Sequence, residues 1–129
     1  MAGKIIADTL EHSTAGSLDT QYVVNGSQKF WARWDMSASS LEDSLNTSSF
    51  TDVSTGVSKF DYTSSMANAV YSISGIAGEK SGGGNRGLGV YGSGGLPPTT
   101  STIRFLSYNS SFSASDETIC GANISGDLA

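Results

Sequence analysis

The sequence predicts an all-β protein, a single antiparallel β-sandwich or jelly-roll-like domain preceded by an extended N-terminal arm. Glycine and serine are frequent and only 15% of the 129 residues are charged, which suits short strands joined by turns better than amphipathic helices. Several segments alternate apolar and polar residues with the period of two that is typical of half-buried strands. No segment carries an apolar repeat long enough to require a helix.

The arm is predicted over residues 1–20, where large apolar side chains are few and small residues interrupt them. Without a sustained apolar repeat, we expect this segment to be extended or irregular. Its apolar side chains are the candidates for contact with a partner or with other copies of the chain, and they are Ile5, Ile6, Leu10 and Leu18.

The sandwich is predicted over residues 21–129 and begins with a hairpin at Asn25-Gly26. Tyr22 and Val24 alternate before this pair, and a type I′ turn needs the positive φ that asparagine and glycine adopt easily. The return strand places on one face the residues Phe30, Ala32, Trp34 and Met36. This face is predicted to be core.

Trp31 lies on the opposite face of that strand, beside Arg33 and Asp35. The two charged residues are expected to form a cross-strand charge pair rather than a catalytic pair. Two roles fit Trp31 at this position, ordinary packing and contact with a ligand.

The remaining strands are predicted from shorter alternating segments. Residues 41–47 alternate weakly, although Ser39 and Glu42 fit the cap of a helical turn as well. A second hairpin is predicted to turn at residues 54–56. Further strands are expected at residues 69–77, 101–108 and 118–125.

Residues 78–100 hold most of the glycines and both prolines, and they are predicted to form a long loop with one short edge strand at most. Long loops in compact domains are frequently functional, so this loop is a candidate contact region.

No catalytic residue, cofactor site or metal site is predicted. The one histidine, His12, lies in the arm, so a nucleophile has no base within the folded domain. His12 and the one cysteine, Cys120, supply no metal-binding spacing and no intrachain disulfide.

Two other patterns are not expected to carry chemistry. The adjacent carboxylates Glu42-Asp43 and Asp116-Glu117 point to opposite faces of a strand and are predicted to be solvated. Glycines at 82, 84 and 87 match a phosphate-binding pattern, but the residues that follow cannot form the required helix.

The candidates for surface contact are therefore aromatic and basic side chains, although most aromatic residues of a small β domain are core. These candidates are Trp31, Arg33, Arg86, Tyr91 and Tyr108. The net charge is -5 and the basic residues are scattered, so we expect no nucleic-acid partner. The N-terminal residues include no apolar stretch of the length of a signal peptide or a membrane span, so we expect no membrane partner.

Most of the chain resembles a family of small surface proteins on tailed-phage particles, especially marine ones, often labelled tail fibre or virion structural protein. The resemblance is carried by GKIIADTLEHSTAGSLDTQYVVNGSQKFW, SLNTSSFTDVSTGVSKFDYTSSMANAVYSISG and STIRFLSYNSS. Its most specific parts are the VVNGSQKFW segment and the SSFTD segment with the FDYTSSMANAVYS that follows. The loop at residues 82–98 departs from the family pattern.

The resemblance implies a non-enzymatic virion component without catalytic residues, made in the host cytoplasm and located on the virion surface. The arm would attach to other virion proteins, either the major capsid protein or a tail adaptor, and the β domain would face outward. A homo-oligomer is expected, with a trimer favoured. A capsid decoration or cement protein is the favoured role. A short tail fibre or receptor-binding adhesin, which would recognise a host surface glycan or protein, is the alternative.

Overall fold

The computed structural model describes residues 6–13, 16–81 and 84–129. The N-terminal part contains the strands β1 (Thr9–His12) and β2 (Gly16–Asp19) and the helix α1 (Thr20–Gly26). The strands that follow are β3 (Gln28–Asp35), β4 (Ser40–Leu45), β5 (Thr47–Ser54), β6 (Val57–Tyr62), β7 (Ser72–Gly78), β8 (Gly87–Val90), β9 (Thr102–Tyr108) and β10 (Ile119–Ser125). One 3-10 turn, Ser93–Gly95, lies between β8 and β9.

Strands β3 to β10 form two four-stranded antiparallel sheets with the orders β4-β3-β10-β7 and β5-β6-β9-β8. The two sheets bury their inner faces against each other, as in a β-sandwich. The predicted all-β class is confirmed, and of the two predicted architectures the structure is a sandwich.

The core lies between the sheets and is centred on Phe60, whose ring centroid is 4.8 Å from that of Trp34 and 5.5 Å from that of Phe30. Most of these ring pairs meet edge to face, an arrangement that aromatic quadrupoles favour. The predicted core face of β3 is confirmed, since none of its four residues is more than 3% exposed. The buried cluster consists of Phe30, Ala32, Trp34, Met36, Phe60, Tyr62, Met66, Ile103, Phe105, Cys120, Ala122 and Ile124.

The predicted hairpin at Asn25-Gly26 is wrong. These residues end the helix α1, which also contains Tyr22 and Val24. Strand β3 is paired on one side with β4 and on the other with β10, so no edge remains for a strand formed by residues 21–24. The segment satisfies its backbone hydrogen bonds locally instead, within the helix.

The arm, predicted to be extended or irregular, contains a two-stranded hairpin in which Leu10 lies directly opposite Leu18. Gly16 opens the second strand with a φ of 94°, a left-handed value that glycine adopts without a steric penalty. Ile5 lies outside the described residues.

The other strand predictions agree with the structure apart from their ends. Residues 40–45 form a strand and not a helical turn, and the hairpin at residues 54–56 joins β5 to β6. The predicted long loop at residues 78–100 is divided by β8, which is the edge strand of its sheet. The loop is therefore two separate connections.

Candidate functional site

The strand directions give the sandwich two distinct ends. The arm joins β3 at Gln28, and we call this the arm end; the opposite end, near Asp35, is the distal end. A single residue, Asn46, carries the chain from β4 to β5, so the ends of the two sheets coincide. Because neighbouring strands are antiparallel, residues 79–86 and 109–118 lie at the distal end, and residues 91–101 lie at the arm end.

The N-terminal module, defined as residues 6–13 and 16–26, exposes nearly all of its apolar side chains. Helix α1 has no buried residue. The side chain of Lys29 donates a hydrogen bond to the carbonyl of Val24, which ties the end of the helix to the start of the sandwich. The exposed apolar residues of the module are Ile6 (81%), Leu10 (49%), Leu18 (48%), Tyr22 (61%), Val23 (39%) and Val24 (57%).

Trp31 lies half-buried on the outer face of the first sheet, between Leu45 of β4 and Asn123 of β10. A shallow depression of about 350 Å³ lies next to it over Gly121, with Ser74 at its edge. The absence of a side chain at Gly121 forms this depression, because the neighbouring outward positions carry larger groups. Trp31 is thus outside the core, where it packs on its sheet and keeps part of its surface accessible.

The predicted charge pair between Arg33 and Asp35 is wrong, because each has a different partner at the distal end. Arg33 Nε lies 3.4 Å from Glu42 Oε2, and Lys80 Nζ lies 3.2 Å from Asp35 Oδ2 and 3.6 Å from Glu42 Oε1. Burial would raise the pKa of Asp35, but hydrogen bonds from the loop after β3 and from Lys80 hold it below its usual range. This chain of charges fastens the β3–β4 connection to the start of the 79–86 connection.

Arg86 is part of a more buried network and is not available as a contact surface. Its side chain is 15% exposed, and it lies 2.7 Å from Glu79 Oε2 and 2.8 Å from Glu117 Oε2. The hydrogen bond with Glu79, opposed by burial and aided by the charges of both carboxylates, raises the pKa of Arg86 above its usual value. Arg86 thereby clamps the end of the 79–86 connection onto the sandwich.

Glu117 was predicted to be solvated, and this is wrong. Its side chain is 0% exposed, and Oε1 has no hydrogen-bond partner among the described residues. Its neighbour Asp116 also has a structural role, since Oδ1 accepts a hydrogen bond of 2.6 Å from the amide of Gly56 in the β5–β6 turn. Both carboxylates therefore hold distal connections in place.

The two predicted tyrosines lie on the second sheet, away from Trp31. Tyr91 follows β8, is half-buried and donates its amide to the carbonyl of Arg104 at 2.9 Å. Tyr108 ends β9 at the distal end and stacks on Phe112, with ring centroids 5.7 Å apart. Phe112 was not predicted as a contact residue, because its segment, NSSFSAS, has no alternating pattern and is typical of a loop.

The one cysteine is not available for surface chemistry. Cys120 is 0% exposed, and burial raises the pKa of its thiol to about 12. A thiol in this state is neither a nucleophile near neutral pH nor a partner for an intermolecular disulfide while the fold is intact. In the described part of the chain, no group of three or more His, Cys, Asp or Glu residues is arranged to hold a metal ion.

The described residues form a β-sandwich. An exposed apolar module lies at its arm end, and ion pairs hold the connections at its distal end. Comparisons with protein-family models, with curated proteins and with solved structures gave no match to the chain. Across residues 6–13, 16–81 and 84–129, no helix has the length and apolar content needed to cross a bilayer.

Proposed function

We propose that this protein is a non-enzymatic structural protein on the surface of a tailed-phage particle, most directly a capsid decoration or cement protein. The observation that carries the proposal is the apolar N-terminal module, which projects from a sandwich whose own core is complete. The particle is proposed to be that of a tailed phage because the sequence resembles surface proteins of such particles. The geometry supports attachment through the module, with the sandwich held outward.

The module is too small to be stable alone. A seven-residue helix is shorter than isolated helices that persist in water, and a two-stranded hairpin is at best marginally stable there. Its Leu10–Leu18 pair is about half exposed, so the apolar surface that should stabilise it remains in contact with water. A partner that covers this surface would order the module and gain binding energy at the same time.

The arm end of the sandwich offers a matching surface to a second copy. A groove of about 470 Å³ there is lined by Gln28, Lys29, Leu45, Asn46, Thr63, Ser64 and Leu128. Leu45 and Leu128 are 46% and 44% exposed, so the groove has apolar walls. We propose that neighbouring copies pack their N-terminal modules against this end in a homo-oligomer, with a trimer favoured, and that the assembly seats on the major capsid protein.

A short tail fibre or adhesin joined to a tail adaptor is the second candidate. The specific observation in its favour is the exposed aromatic side chain of Phe112 at the distal end, which an anchored molecule would present to its surroundings. A decoration protein binds over the whole head, whereas a fibre binds at the tail, so the location on the particle separates the two roles.

Replacing both members of the hairpin pair, Leu10→Ser with Leu18→Ser, should weaken particle attachment and self-association. Burying half of each leucine contributes about 1.5–3 kcal/mol for the two together, so the affinity should fall about tenfold or more. Co-sedimentation with phage particles and light scattering measure the two effects. The free energy of unfolding of the sandwich should change by less than about 0.5 kcal/mol, because neither residue belongs to the core.

The matched control is Val53→Ser with Val90→Ser, two apolar residues of the sandwich that are 49% and 41% exposed. This variant removes a similar exposed apolar area but leaves the module intact, so it should attach as the wild type does. If the leucine variant attaches as tightly as the wild type, the module is not the anchor and this function is wrong.

A further inference from the structure

Phe112 is displayed on a closed loop at the distal end in a conformation that phenylalanine rarely adopts. Its side chain is 85% exposed, and its φ is 58°, in the left-handed region. A bulky residue with positive φ is an outlier, and such strain persists only where the surrounding structure determines it. At this exposure the phenylalanine gains little from packing apart from its contact with Tyr108, so folding gives little reason for a strained aromatic residue at this position.

Asn109 is the residue that fixes the loop. Its Oδ1 accepts hydrogen bonds from the amides of Ser111 at 2.9 Å and of Ser113 at 3.2 Å. Its own amide donates to the carbonyl of Ser113, and its carbonyl accepts from the amide of Phe112, both at 3.0 Å. These bonds fix the backbone of the loop, and with it the position from which Phe112 projects, before any ligand arrives.

Tyr108 and Gly87 support the phenylalanine from below. The rings of Tyr108 and Phe112 are stacked, with an angle of 28° between their planes. Gly87 is directly opposite Tyr108 in the neighbouring strand, and a Cβ at Gly87 would overlap the tyrosine ring. The glycine thus allows Tyr108 to lie flat on the β8 backbone, and the two rings form a platform that we call the aromatic platform.

The chemistry around the aromatic platform is neutral and rich in hydroxyl groups. The loop at residues 109–113 reads NSSFS and contains no charged residue. The nearest cation along the adjoining strand, Arg86, is committed to Glu79 and Glu117. Within the described parts of the distal connections, residues 79–81, 84–86 and 109–118, both cations, Lys80 and Arg86, are paired with carboxylates, so an anionic ligand would find no free positive charge there. A protein interface of standard size would need a much larger contact area than one pair of rings.

We propose that the aromatic platform is a carbohydrate-binding site for neutral pyranose sugars. The C–H face of a pyranose ring stacks on an exposed aromatic face, while its hydroxyl groups bond to small neutral groups such as serine hydroxyls and backbone amides. The platform lies at the distal end, opposite the N-terminal module. This inference goes beyond the decoration role and deepens the second candidate, the adhesin, by naming the chemical class of its ligand; sugar binding itself does not require attachment to a particle.

The test is affinity electrophoresis of the purified full-length protein through gels that contain a neutral polysaccharide, with dextran, mannan and galactan as probes. Polygalacturonic acid is the acidic comparison. The wild type should be retarded by at least one neutral polysaccharide and not by the acidic one. Phe112→Gly should bind about tenfold more weakly, as expected for loss of an aromatic anchor, and should therefore be retarded much less. Phe112→Tyr should be retarded as the wild type is.

Thermal unfolding separates loss of binding from loss of folding. Glycine accepts the positive φ at this position, which offsets the lost stacking on Tyr108 and the greater freedom of glycine in the unfolded chain, so Phe112→Gly should unfold at nearly the same temperature as the wild type. Val70→Ser, which removes a 90%-exposed apolar side chain that belongs to neither the platform nor the N-terminal module, is the control and should bind as the wild type does.

The proposal is overturned if no neutral polysaccharide retards the wild type, or if Phe112→Gly is retarded equally. It is also overturned if the platform binds a protein: adsorption to host cells would then depend on Phe112 and would survive periodate oxidation of the cell-surface sugars. All of these assays use the protein without particles, so their failure leaves the anchoring function untouched.

Discussion

Replacing Trp34 by alanine should lower the free energy of unfolding by about 3–5 kcal/mol, a large part of the stability of a domain of this size. Trp34 is 0% exposed, and its ring lies 4.8 Å from Phe60 and 5.5 Å from Phe105, centroid to centroid. The truncation leaves a cavity between the two sheets that rigid strands cannot close. Urea denaturation followed by circular dichroism measures the change.

Trp31→Ala is the matched control, because it removes the same side chain three positions earlier on the opposite face of β3. Trp31 is half-buried on the outer face, so its loss should cost about 1 kcal/mol or less. Equal losses for the two variants would show that the outer face is covered as thoroughly as the core, and the assignment of faces would then be wrong.

Replacing Arg86 by methionine should cost about 3–5 kcal/mol, because the change leaves the carboxylate of Glu117 buried without a counter-charge. Glu117 is fully buried, and one of its oxygens already lacks a hydrogen-bond partner among the described residues. Equilibrium denaturation near neutral pH measures the loss. Loosening of the 79–86 connection should accompany it as faster amide hydrogen exchange in those residues.

Two further variants show whether the buried charge is the cause. Adding Glu117→Met to Arg86→Met should restore most of the lost stability, since a buried ion pair can be replaced by apolar groups of similar size at little cost. Glu79→Gln should cost about 1 kcal/mol or less, because that carboxylate is 30% exposed. If Arg86→Met costs no more than Glu79→Gln, solvent screens Glu117 and the account of this network fails.

The core strand of the protein was predictable because its alternation is strong. Phe30 to Met36 repeats with a period of two over four apolar residues, and burial of one face requires that pattern. The Asn25-Gly26 hairpin has a signal of the same kind, yet it fails because tertiary pairing with β10 occupies the edge that the hairpin needs. The residues of a turn cannot indicate that the neighbouring strand will pair with β10, which lies about a hundred residues later in the chain.

The candidate site was less predictable, because its key residues act through contacts distant in sequence. Glu117 is paired with Arg86, 31 residues earlier in the chain, and nothing in the sequence around either residue indicates the pairing. Phe112 is singled out by its backbone conformation and its exposure, neither of which has a sequence signal in a serine-rich loop. The apolar residues of the arm could be picked out from the sequence because they are four leucine and isoleucine side chains in a polar segment, and the three that are described, Ile6, Leu10 and Leu18, are exposed.

The two ends of the molecule give the proposals a common geometry. The proposed attachment through the N-terminal module at the arm end would leave the distal end directed away from the particle. The charge networks of Asp35 and Glu117 fasten the distal connections to the sandwich, and Asn109 fixes the loop that displays Phe112. The proposed attachment surface and the proposed recognition site therefore lie at opposite ends and can be tested separately.

Electron microscopy of phage particles from a lysate that contains this protein, labelled with gold-conjugated antibody against the sandwich, tests whether the protein is a decoration protein of the virion. Label distributed over the particle heads is the expected result. Label confined to the tails would replace the decoration role by that of a fibre or adhesin. Particles that carry no label, in a lysate where the free protein is detected, would contradict the claim that this is a virion protein.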